Sequence, residues 1–164
     1  MLSVESHPEN ARFVEQWSGE QHLRCMERND SLHWIVEDAG VPIGYAILQG
    51  ADDPGHSVLL RRIAIAGKGR GHGRGAMTLL ARYCFDILRF HRLWLYVALG
   101  NRRARRLYDR LGFVEEGVAR ECVREGDGYA SMAVLSMLER EYRQTLDARR
   151  RVQPGSGADT RGYR

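Results

Sequence analysis

Ile63-Ala64-Ile65-Ala66-Gly67-Lys68-Gly69-Arg70-Gly71-His72-Gly73-Arg74-Gly75-Ala76 runs from a short apolar stretch into a loop with glycine at every second position from 67 to 75. An amphipathic pattern starts as the loop ends, so the order is strand, loop, helix. Glycines let the backbone take positive φ values and turn successive N–H groups toward one point. The helix that follows aims its own unpaired N–H groups and the positive end of its dipole at the same point. Lys68, Arg70, His72 and Arg74 surround the loop, and no acid lies between Arg61 and Gly75. That chemistry suits a multiply charged anion, and a pyrophosphate fits it well.

Downstream, Ala76, Leu79, Leu80, Tyr83, Cys84, Ile87 and Leu88 recur at helical spacing, which predicts a long helix from Gly75. Leu93-Trp94-Leu95-Tyr96-Val97-Ala98-Leu99 then reads as a strand covered on both faces. Strand, helix and strand make a parallel crossover unit. Gly100-Asn101 ends that strand, and Asn101 is placed to cap a helix whose apolar stripe is Ala104, Leu107, Tyr108 and Leu111, closed by Gly112. Phe113 to Arg124 and Tyr129 to Leu138 form a hairpin joined through Glu125-Gly126-Asp127-Gly128.

Upstream, His33 to Glu37 and Pro42 to Leu48 form a second hairpin around Asp38-Ala39-Gly40. The polar stretch Gly50 to His56 separates it from the strand that enters the glycine loop, about Ser57 to Ala66. Residues 8 to 28 predict two short helices over one side of a sheet, the first carrying Phe13, Val14 and Trp17, the second Leu23 and Met26. After Leu138 a charged helical extension reaches about Arg151, and no apolar periodicity follows Pro154. Residues 1–150 are therefore expected to form a single domain and residues 151–164 a disordered tail.

The 164-residue chain carries 25 Lys and Arg against 21 acids. Its first 56 residues hold three Arg and ten acids, so the basic excess lies with the glycine loop and the later helices. An anionic ligand explains that asymmetry better than nucleic acid, because the basic residues are not interleaved with aromatics. No apolar run approaches the ~18 residues of a membrane span, and no leader pattern opens the chain, so a soluble cytoplasmic protein is expected. Cys25, Cys84 and Cys122 have neither disulfide-scaffold nor zinc-ligand spacing, so no metal is expected, and Cys84 reads as a buried thiol.

Asn101-Arg102-Arg103-Ala104-Arg105-Arg106-Leu107-Tyr108, taken with Arg70-Gly71-His72-Gly73-Arg74-Gly75, resembles the GNAT superfamily of acetyl-CoA-dependent N-acetyltransferases, and within it the bacterial ribosomal-protein and polyamine branch. The resemblance spans about residues 30 to 140. It implies an α/β (α+β) fold: a mixed, mostly antiparallel sheet flanked by helices, with two splayed central parallel strands and a slot between them. It implies acetyl-CoA as co-substrate, its pyrophosphate held by the loop Arg70, Gly71, His72, Gly73, Arg74, Gly75 and Ala76. Ile63, Ala64 and Ile65 would bond the pantetheine arm, Asn101 would contact the cofactor, and Tyr108 would be the general acid.

Arg105 and Arg102 are candidates for the adenosine 3'-phosphate, with a solvated helix face as the alternative. Tyr108 also shares the stripe of Ala104, Leu107 and Leu111, a core reading that only the family motif overrides. Many relatives carry a catalytic Glu near the position of Leu59. Leu59-Leu60-Arg61-Arg62 offers no carboxylate there, and Glu37, Glu116 and Glu121 are exposed hairpin acids, none assigned as a base.

The expected acceptor is a primary amine: a polyamine or amine metabolite, or a protein N-terminus, with a homodimer compatible with either. A non-catalytic acyl-CoA-binding regulatory or nucleic-acid-binding module is the alternative. Gly71-His72-Gly73-Arg74-Gly75-Ala76 also satisfies a dinucleotide-binding spacing. However, five residues separate Ile65 from Gly71, and the next strand ends without the acid such folds use for the ribose.

Overall fold

The computed structural model describes residues 1–152, with side chains through residue 148. The chain folds as α1 (Leu2–Glu5), α2 (Pro8–Ala11), α3 (Gly19–Met26), β1 (Ser31–Asp38), β2 (Val41–Gln49), β3 (Ser57–Ile65), α4 (His72–Arg82), β4 (Arg92–Ala98), α5 (Arg102–Leu111), β5 (Val114–Glu125), β6 (Gly128–Leu138) and α6 (Glu139–Val152). The six strands make one sheet in the order β1-β2-β3-β4-β6-β5. All neighbours are antiparallel except β3 and β4, which gives the mixed sheet that the family resemblance implies. Of the expected tail, residues 153–164 lie outside the described residues.

The parallel pair holds together for only four residues, from Ser57↔Arg92 to Leu60↔Leu95. Beyond that pair β3 stays bonded to β2 as far as Ile65, and β4 stays bonded to β6 as far as Ala98. The facing edges of the two strands therefore separate. Register between β2 and β3 also shifts at this point, since Leu48 faces Leu60 but Ile47 faces Arg62, leaving Arg61 as the extra residue of a bulge.

One face of the sheet carries the main core, in which Met77, Leu80, Ala81, Cys84 and Phe85 from the α4 segment and Tyr108 and Leu111 from α5 meet Val58, Leu60, Leu93, Leu95, Val97, Ala133, Leu135 and Met137. On α6, Tyr142 stacks on Phe85 at 4.9 Å and donates to Asp86 at 2.9 Å. A smaller cluster lies on the other face, where Val14, Trp17 and Cys25 pack against Tyr45, Ile47 and Ala64.

Several expectations are corrected. The first N-terminal helix ends at Ala11, before Phe13 and Trp17, and α1 precedes it. A capping box between Ser18 and Gln21 starts α3, which buries His22 and Cys25 while Leu23 stands 61% exposed and Met26 is exposed too. Helix α4 begins at His72, three residues earlier than the periodicity suggests, because Gly71 in the left-handed region turns the chain into it. Its buried stripe runs through Met77, Leu80 and Ala81, leaving Leu79, Tyr83 and Ile87 outside. A π turn over Tyr83–Ile87, closed by Leu88 N–H to the Tyr83 carbonyl at 3.0 Å, carries the helix on to Phe85. Strand β4 is covered on one face only, since Leu93, Leu95 and Val97 are buried but Tyr96 is exposed.

Candidate functional site

The glycine loop has the backbone the sequence calls for. Gly67, Gly69 and Gly71 take φ of 66°, 91° and 84°, so alternate residues turn the chain left-handed. Gly71 caps α4 without a side chain, and the first helical bond is Gly75 N–H to the Gly71 carbonyl at 3.0 Å. The N–H groups of His72, Gly73 and Arg74 therefore lie in the unpaired first turn of an eleven-residue helix. Cβ positions at Gly69, Gly71 and Gly75 meet nothing within 4 Å, so the cradle has room for phosphate oxygens, and a 440 Å³ cavity borders Gly71, Arg74, Gly75, Thr78 and Leu79. Arg70 and Arg74 are exposed beside it.

His72 is committed elsewhere, with Nε2 3.3 Å from Oδ2 of Asp38, the last residue of β1. Lys68, absent from the expected contacts, is half-buried and donates to Asn10 Oδ1. Burial, and then the nearby charge of Arg103, push its pKa down. Asn10 in turn donates to the carbonyls of Val4 at 2.8 Å and Ile65 at 3.3 Å, tying the N-terminal helices to the strand end and the loop. Nothing in the spacing of Asn10 marks it, because its partners are up to 58 residues away.

Ile63, Ala64 and Ile65 lie on the part of β3 that has left β4, with the Ile65 carbonyl accepting from Asn10. Asn101 caps α5, its Oδ1 accepting Ala104 N–H at 3.1 Å, which leaves the Nδ2 group for another partner. A Cβ at Gly73 would meet Leu107 at 3.6 Å, so the start of α4 packs against the middle of α5. Arg105 forms an ion pair with Glu115 at 2.6 Å, a commitment that weakens it as a phosphate contact, whereas Arg102 is exposed.

Tyr108 is 6% exposed and tilts against Phe113 at 5.5 Å. Burial pushes its phenol up to about 12, so it keeps its proton at neutral pH. Its burial in the main core matches the core reading of its helical stripe.

Of the exposed acids, Glu116 accepts from Ser136 Oγ at 2.7 Å and pairs with Arg92 at 2.7 Å, and these contacts hold its carboxyl below the usual range. Glu37 lies on β1 at the sheet's far edge, and Glu121 sits in a bulge of β5 with its N–H on Ser131 Oγ at 2.9 Å. Sequence spacing did not reveal a buried cluster around Glu5. This carboxylate, 1% exposed, accepts from Tyr45 OH, from Arg62 Nη1 at 2.6 Å and from Trp17 N–H at 3.1 Å, with His22 Nε2 3.1 Å away. No described helix is long and apolar enough to cross a membrane.

The family model described as acetyltransferase (GNAT) family matches residues 2–113. YdaF of Bacillus subtilis, whose name assigns it provisionally as a ribosomal N-acetyltransferase, is 32% identical over 75 residues, covering 46% of this chain and 41% of that protein. Spermidine N(1)-acetyltransferase of Vibrio cholerae is 42% identical over 55 residues, covering 34% of this chain and 32% of that protein. The matched segments thus span less than half of either curated relative. The crystal structure of spermidine N-acetyltransferase from Vibrio cholerae in complex with CoA and spermine superposes with a TM-score of 0.70 at 28% identity, covering 79% of this chain and 80% of that one.

Proposed function

The chain belongs to the GNAT acetyltransferase family, and from that premise we propose that it transfers the acetyl group of acetyl-CoA to a primary amine. The observation that carries this reading is the coincidence of two features on β3. Its C-terminal end runs into a glycine cradle that opens on the uncapped start of α4, and its free edge diverges from β4 after Leu60↔Leu95. A diphosphate at the first feature and an extended arm along the second is the shape of coenzyme A. The relative crystallised with CoA and spermine supports the same pairing of cofactor and amine acceptor.

Acetyl-CoA supplies an activated thioester, and the protein's residues do the rest. The unpaired N–H groups of His72, Gly73 and Arg74 bind the diphosphate, with the rest of the loop from Arg70 to Ala76 around it and Arg70 and Arg74 adding charge. The unpaired edge of β3 around Ile63 holds the arm, and backbone N–H groups of that splayed strand would polarise the carbonyl. Tyr108, protonated at working pH, donates to the sulfur as the carbon–sulfur bond breaks, and the proton that the acetylated nitrogen releases through solvent restores the phenol. Leu59 offers no base, so the acceptor reacts as the neutral amine that is present in equilibrium with its ammonium form. Thiol release from acetyl-CoA in the presence of a panel of amines tests the proposal: amine-dependent release supports it, and release with none of them refutes it.

A further inference from the structure

The two faces of the sheet are covered unequally. Helices α4, α5 and α6 close one face from β2 across to β6. On the other, the N-terminal helices reach β2 and β3, where Trp17 and Cys25 pack on Tyr45 and Ala64. Over β4 and β6 that second face carries Trp94, Tyr96, Val134 and Ser136 with no described helix above it. The border between covered and open halves runs along β3 and β4, where the ladder opens after Leu60↔Leu95.

Several residues along this border are aromatic or apolar. Tyr96, 44% exposed, is the first residue of β4 past the last parallel pair, and its ring stands edge-on to Trp94 at 5.2 Å. Trp94 is the ladder partner of Leu59, on the same face. On the opposite bank Trp17 lies over the Arg62 guanidinium at 3.9 Å.

The charges on this surface are already matched. Arg62 pairs with Glu5 at 2.6 Å, and Arg61 with Glu15 at 3.4 Å. Arg92 pairs with Glu116 at 2.7 Å and also lies over the Trp94 ring at 5.1 Å, occupying the face a ligand cation would use. A polyamine would bring further ammonium groups to a surface whose carboxylates are taken, losing hydration without gaining a partner. An aromatic body would instead bury apolar area and meet Tyr96 and Trp94 in the edge-on geometry they already share.

We propose that Leu59, Trp94 and Tyr96, with Trp17 opposite, receive the acceptor, and that the acceptor is a small monoamine carried on an aromatic body rather than a polyamine. The inference rests on the acetyl-transfer reading above. The test is thiol release at saturating acetyl-CoA with 2-phenylethylamine, spermidine and a Phe-led tripeptide, using the wild type, Tyr96→Ala and Tyr96→Phe, with acetyl-CoA binding and solution mass measured on the same samples.

We expect kcat/KM for 2-phenylethylamine about tenfold or more above that for spermidine. Tyr96→Ala should raise its KM about tenfold while kcat and acetyl-CoA affinity hold, and Tyr96→Phe should restore the KM. Preference for spermidine or for the tripeptide overturns the proposal. So does a Tyr96→Ala variant with unchanged KM, and if that variant also converts a dimer to a monomer, the face belongs to a second copy of the chain. Acetyl-CoA binding without turnover on any amine refutes the acetyl-transfer reading itself, and this inference with it.

Discussion

Leu60 faces Leu95 across β3 and β4, and this is the last residue pair the two parallel strands share. Each strand continues bonded only to its outer neighbour, so the edges that diverge there keep free N–H and C=O groups along a slot. Because β3 continues into the glycine loop, the slot and the anion cradle are two ends of one segment. Tyr108 lies buried in the core on the helical face, and Tyr96 borders the slot on the open face.

Tyr108 has a phenol held protonated by burial, with a pKa of about 12. Tyr108→Phe keeps the ring that packs on Phe113 and removes only the hydroxyl. Turnover is expected to fall about a hundredfold or more, with acetyl-CoA affinity little changed. Steady-state kinetics beside a direct binding titration check this, and unchanged turnover would remove Tyr108 from the mechanism.

Two glycines in the cradle should respond in opposite directions. Gly71 sits at φ 84°, where a Cβ costs about 1–2 kcal/mol, so Gly71→Ala should lower both stability and acetyl-CoA affinity. Gly75 lies inside α4 with ordinary φ and open space around its Cβ position, and Gly75→Ala should stabilise by about 0.5–1 kcal/mol while binding is kept. Thermal denaturation with and without acetyl-CoA separates the two.

The buried cluster at Glu5 makes stability depend on pH. Burial alone would raise the Glu5 carboxyl, but the bonds from Tyr45 and Trp17 and the charges of Arg62 and His22 hold it below its ordinary 4.5. Burial lowers His22 below its ordinary 6.5. In both cases the unfolded chain takes up the proton more readily. Stability should therefore decline as pH falls below about 6.5 through His22, and further below about 4.5 through Glu5. Glu5→Ala leaves Arg62 buried without its partner and should cost about 3–5 kcal/mol, whereas Glu5→Leu with Arg62→Met should cost much less. Denaturant titrations across pH check both, and a flat profile would contradict the cluster's role.

The three thiols differ in access. Cys122 is exposed, Cys25 and Cys84 are buried, and burial pushes the Cys84 thiol up to about 12. A thiol reagent should label one cysteine quickly under native conditions and three after denaturation. Fast labelling of Cys84 would contradict the packing of α4 on the sheet.

Much of this architecture can be read along the chain, for reasons that differ by element. Glycines at 67, 69 and 71 permit the left-handed turns observed there, which other residues would resist, and Asn101 and Gly112 bracket α5 because cap chemistry is local. Burial in α3 is not local: His22 and Cys25 turn inward because Glu5 and the strands wait for them, although Leu23 and Met26 are the more apolar pair. The apolar run of β4 hides its alternation, since Trp94 and Tyr96 look like core until the sheet shows no described helix over that side of β4. The ion pairs that occupy Arg105 and Glu116 likewise join residues on separate elements.

The central claim is that amides between Arg70 and Ala76 grip the diphosphate of acetyl-CoA while its thioester lies beside Tyr108. Amide chemical shifts followed during titration of the labelled protein with acetyl-CoA test it most directly. Saturable shifts concentrated at Arg70 to Ala76, along Ile63 to Ile65 and at Tyr108 are the predicted result. No shifts, or shifts gathered elsewhere with the glycine loop silent, would contradict it.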